Sequence, residues 1–78
     1  MERYRYTFDC DTAEVTVEHD LYGGDYAATV RPHDEALPTE ELEVHLHGGY
    51  PQPFHAAADA LDIYKKRHGL PAGEIWKL

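Results

Sequence analysis

Through the first half of the chain apolar and polar residues alternate with a period of two, and once, near the C-terminal end, the period changes to that of a helix. Residues 3–9 put Tyr4, Tyr6 and Phe8 on one side and Arg3, Arg5 and Thr7 on the other, as a half-buried strand does, and Cys10 continues the inner row. Residues 13–21 send Ala13, Val15 and Val17 inward, with His19 at the rim, and turn Glu14, Thr16, Glu18 and Asp20 outward. A third strand over 26–31 ends at Pro32. A fourth over 41–47 has Leu42, Val44 and Leu46 inward and Glu41, Glu43, His45 and His47 outward.

The turns suggest registers. A tight turn near Cys10 and Asp11 sets Phe8 opposite Ala13, Tyr6 opposite Val15 and Arg3 opposite Glu18. Gly23 and Gly24 suit a two-residue hairpin loop, because both take positive φ without a Cβ penalty. That loop pairs Leu21 with Tyr26, His19 with Ala28 and Val17 with Val30, and on the other face it sets Asp20 beside Ala27 and Glu18 beside Thr29.

The one helix is expected over 54–68, where Phe54, Ala57, Ala58, Leu61 and Tyr64 fall on a single face. Pro53 stands in the first turn, Lys65, Lys66 and Arg67 crowd the last, and Asp62 precedes Lys66 by four. Gly69 followed by Leu70 and Pro71 reads as a Schellman ending. Residues 74–78 either add a short fifth strand or fold Trp76 against the helix end. The expected fold is a single α+β domain spanning 1–78: an antiparallel meander of three or four strands with the helix packed on one face and the other face open.

Length limits what this fold does, since 78 residues bury only about 60% of their unfolded surface and leave little room for a deep catalytic cleft. The chain contains no serine, and its lone Cys10 lies between Asp9 and Asp11, which disfavour a thiolate; these features argue against an enzyme. No basic leader with an apolar run and no membrane-spanning run is visible, and one cysteine makes no internal disulfide. A cytoplasmic protein without a cofactor is the expectation.

Charge changes the picture more. The formal net charge is −8, and residues 9–43 hold eleven carboxylates against Arg31 alone, whereas the flanks hold six bases and four acids. Such a surface repels nucleic acid and anionic membranes. Glu14, Glu18, Asp20, Glu41 and Glu43 all belong to the open face, where carboxylates two residues apart repeat at about 6.6 Å, a spacing that mimics successive phosphates. Tyr22 and Tyr50, in the two Gly-Gly loops, are candidate anchors for a partner. The bland alternative is that the acids serve solubility. A second alternative is a metal-binding domain, because His45 and His47 point the same way on a strand, although zinc needs further ligands. His33-Asp34 has the composition of a general-base pair, but neighbours in an extended loop point apart.

In its length, its acidic run, its strand-strand-strand-helix order and its single cysteine the chain resembles the small acidic inhibitors of phages and mobile elements, the anti-CRISPR proteins among them. The resemblance carries no diagnostic motif and transfers no residue role. It implies stoichiometric binding, without chemistry, to a basic protein or nucleic-acid-handling complex at a surface meant for nucleic acid. An accessory subunit that self-associates through its sheet, as a homodimer rather than a monomer, is the remaining alternative.

Overall fold

The computed structural model describes residues 3–20, 25–45 and 52–71, the side chains of Arg3 and Asp20 excepted. Four strands, β1 (Arg3–Asp9), β2 (Ala13–Asp20), β3 (Asp25–Pro32) and β4 (Glu40–His45), precede one helix, α1 (Pro53–Arg67). The strands form one antiparallel sheet in the order β1-β2-β3-β4, and α1 packs across one face of it. The expected α+β meander is therefore present, with strand and helix ends within one residue of expectation wherever they are described. The expected continuation of β4 through residues 46 and 47 and the fifth strand over 74–78 lie outside the described residues.

The faces are as the alternation requires, but both expected hairpin registers are displaced by two residues. Phe8 faces Val15, Tyr6 faces Val17 and Arg5, not Arg3, faces Glu18; Arg3 instead faces Asp20. The turn is centred on Asp11 and Thr12, with the Cys10 N–H donating to the Ala13 carbonyl at 2.9 Å and no residue but Gly69 at positive φ among those described. His33 buttresses this turn, since its N–H donates to the Thr12 carbonyl at 3.0 Å and its Nε2 lies 3.1 Å from both the Cys10 carbonyl and Asp9 Oδ1. In the second hairpin Val15 faces Val30, Val17 faces Ala28, Thr16 faces Thr29 and Glu18 faces Ala27. The Gly23-Gly24 loop, and with it the expected two-residue turn, lies outside the described residues.

The core lies between α1 and the inner face of β2, β3 and β4. Val15, Val17 and Val30 are fully excluded from solvent, with Tyr26, Ala28, Leu42 and Val44 nearly so. On α1 the buried stripe is Ala56, Ala57, Ala60, Leu61 and Tyr64, with Lys65 also covered. This corrects the expected face, because Phe54 is 44% exposed and Ala58 is only half-buried. Two alanines one turn apart let the helix approach the sheet closely, and that contact selects small side chains over the larger Phe54. Burying Leu61 contributes about 1.5–3 kcal/mol. Tyr64 hydrogen-bonds from its hydroxyl to the Pro38 carbonyl at 2.6 Å, tying α1 to the loop before β4. Burial, with Glu40 and Asp34 nearby, raises the pKa of that hydroxyl.

α1 ends as expected. The Leu70 N–H donates to the Lys65 carbonyl at 2.8 Å and the Gly69 N–H to that of Lys66 at 3.5 Å, with Gly69 at φ 65°. This is the paired bonding of a Schellman motif, and Leu70 folds back onto the core. The Asp62–Lys66 pair also forms, at 3.0 Å.

α1 lies over β2, β3 and β4 and only grazes β1. Tyr4 and Tyr6, on the inner face of β1, consequently remain 38% and 40% exposed rather than half-buried beneath the helix. They stack on His19, with ring centroids 5.3 and 6.0 Å away, and His19 leans on Tyr26 at 4.8 Å. His19 is thus a rim residue held by aromatic neighbours.

Candidate partner-binding face

The outer face of the sheet is a grid whose rows follow from the register. One row runs Arg5, Glu18, Ala27, Glu43, the next Thr7, Thr16, Thr29, Glu41, and a third Asp9, Glu14, Arg31. No described element covers this face. The structure brings Glu14, Glu18, Glu41 and Glu43 onto it, as expected. Asp20 takes its backbone place at the end of β2, and Tyr22 and Tyr50 lie outside the described residues.

The register separates these acids into two kinds. Arg5 Nε donates to Glu18 Oε1 at 2.6 Å, and Arg31 Nη1 lies 4.0 Å from Glu14 Oε1. Among the described residues no ion pair reaches Glu41 or Glu43, and both are exposed. Exposed pairs such as these are each worth about 0–1 kcal/mol, so their main effect is on the surface potential. The unbalanced negative charge accordingly concentrates toward β4.

Between the two kinds lies a feature not anticipated from the sequence. Ala27 stands where its neighbours in the row are Glu18 and Glu43, and its small side chain lies in the floor of a shallow depression of ≈ 480 Å³, lined also by Thr29 and Glu41. Three carboxylates thus rim a small-residue floor. The signal is Ala27 itself, an alanine amid charged and hydroxyl residues on an outward row, but the expected register puts Asp20 rather than Glu18 beside it.

His45, the described member of the His45–His47 pair, is engaged otherwise. Its Nδ1 lies 2.7 Å from Asp25 Oδ1 across β3 and β4, and this hydrogen bond and the Asp25 charge raise its pKa, with Glu43 adding to the effect. His47 lies outside the described residues, and among those described no group of three or more His, Cys, Asp or Glu side chains converges as metal ligands. His33 and Asp34 point apart, His33 toward Asp9 and Cys10 and Asp34 Oδ1 toward the Ala36 N–H at 2.9 Å. Cys10 is buried, and its pKa is pushed up to about 11, first by that burial and then by Asp9, with Lys65 opposing. Asp9 thus acts on the thiol as the sequence suggests, but it ranks below desolvation.

Among the described residues no helix is long and apolar enough to cross a membrane. No protein-family model matches this sequence, and no curated protein or solved structure is detectably similar to it.

Proposed function

We propose that this protein is a non-enzymatic protein-binding module, an acidic inhibitor of the anti-CRISPR type that occupies a basic, nucleic-acid-binding surface of an effector complex. The observation that carries the reading is the acid-rimmed depression over Ala27. A lysine or arginine of a partner, laid on Ala27 and Thr29, meets Glu18, Glu41 and Glu43 at once, and Glu41 and Glu43 bring charge that no arginine among the described residues offsets. Small floor and charged rim together favour a long cationic side chain over a flat apolar one. Long-range attraction from the excess acid speeds the encounter.

The footprint centres on β4 and Ala27 rather than on β2. In a pull-down from a lysate rich in nucleic-acid-binding complexes, treated with nuclease and run at low and high salt, wild type retains a basic protein at low salt only. The variant Glu41→Gln/Glu43→Gln loses it, whereas Glu14→Gln, whose charge Arg31 already offsets in part, retains most of it. Equal retention by wild type and the Glu41→Gln/Glu43→Gln variant sinks the reading.

A further inference from the structure

We infer that the edge of β1 that no described strand pairs is a self-association surface, which pairs antiparallel with β1 of a second copy in a register centred on Thr7. The Cys10–Ala13 hydrogen bond fixes which residues face which way: those at even positions of β1 direct N–H and C=O at β2. Arg5, Thr7 and Asp9 therefore present theirs to the open edge, which no described strand pairs. Such an edge is a template for another strand.

Charge selects the occupant. Set antiparallel about Thr7, two copies place Arg5 opposite Asp9 twice on the outer face and Tyr6 opposite Phe8 twice on the inner face. Within its own sheet Asp9 stands directly opposite Glu14, a like-charge pairing that is destabilising, with His33 Nε2 at 3.1 Å as its neighbour, and the second copy's arginine adds a permanent positive charge there. The centre is equally self-complementary. Thr7 Oγ1 lies 3.1 Å from Thr16 Oγ1, and Thr16 faces Thr29, so pairing continues one threonine row across both copies. Tyr6, 40% exposed because α1 does not reach it, gains an aromatic neighbour.

The other edge behaves oppositely. Antiparallel self-pairing of β4 sets Glu43 against itself when centred there, or Glu41 against Glu43 when centred on Leu42. Charges that oppose self-pairing of β4 in these two registers are, on β1, arranged as a match. Self-pairing of β1 shares Arg5 with Glu18 at the rim of the depression, but Glu41 and Glu43 stand on β4 at the far edge, so the Glu41→Gln/Glu43→Gln variant tests the footprint without touching this edge.

The test is sedimentation velocity on the full chain over a wide concentration range. Wild type shows a concentration-dependent monomer–dimer equilibrium. Arg5→Asp alone and Asp9→Arg alone each weaken it by about tenfold or more, since each sets like charges opposite one another twice. An equimolar mixture of the two recovers the dimer. The aspartate introduced at position 5 of one chain then meets the arginine introduced at position 9 of the other, and at the far end the unaltered Asp9 of the first meets the unaltered Arg5 of the second. Circular dichroism establishes that each variant is folded. Independently, Thr7→Cys is expected to form a disulfide-linked dimer on mild oxidation, as residues directly opposite in a hydrogen-bonded pair have Cα atoms about 5.5 Å apart. A wild type that stays monomeric throughout, or a mixture no more dimeric than its components, overturns the proposal.

Discussion

Along β3 the side chains of Tyr26, Ala28 and Val30 pass under the helix and are almost wholly excluded from solvent, whereas Ala27 and Thr29, one peptide away, lie on a face that no described element covers. The same strand therefore obeys two sets of rules. On the inner face burial decides, and the helix presents Ala56, Ala60, Leu61 and Tyr64, all fully excluded from solvent. On the outer face charge decides, and the depression over Ala27 is left open. On the proposed reading stability and recognition are divided between the faces, so either can be altered with little effect on the other.

Truncation on one side and neutralisation on the other put that division to the test. Leu61→Ala should lower unfolding free energy by about 2–5 kcal/mol in a urea titration, a large fraction of what so small a domain possesses. Glu41→Gln/Glu43→Gln should change it by no more than about 0.5 kcal/mol. If the outer-face variant proved the more damaging, the division would be wrong.

A smaller effect reports how the helical layer is held. Gly69 has φ 65° and open space where a Cβ would lie, so Gly69→Ala meets a conformational cost without a clash. The expected loss is about 1–2 kcal/mol, read from the same titration, and a neutral result would mean that the Schellman ending does not hold α1 in place.

The slightest change belongs to the outer face, at His45. Its raised pKa should appear as an imidazole titration midpoint above the usual histidine range by NMR, and Asp25→Asn should bring it down. Because the folded-state pKa is the higher one, the pair's stabilisation is fully present below the unfolded-state pKa and is lost as pH rises through the raised one. Full exposure keeps it small. An unchanged midpoint in Asp25→Asn would remove Asp25 as the cause.

The two faces also differ in how much of them is legible in the sequence. Alternation assigns each residue to a face but leaves register open to any slip of two, because such a slip returns every side chain to the same side. It therefore places Val15 and Glu18 on the correct faces beside the wrong neighbours. The pairing of Glu18 with Arg5, and with it the charge imbalance toward Glu41 and Glu43, depends on register and is hidden for that reason. Gly69-Leu70-Pro71 is readable because its conformation is demanded locally. Phe54 misleads, since hydrophobicity favours it while the close helix–sheet contact favours Ala56 and Ala60.

The strand order β1-β2-β3-β4 has a kinetic consequence. Every ladder joins chain neighbours, across gaps at 10–12, 21–24 and 33–39, so each pairing closes a short loop and contact order stays low for a sheet. No crossover has to wait for a distant partner. The sheet can zip from either end, with α1 sealing it afterwards, and refolding should be a single fast exponential whose rate responds more to Val17→Ala, in the central ladders, than to Leu61→Ala.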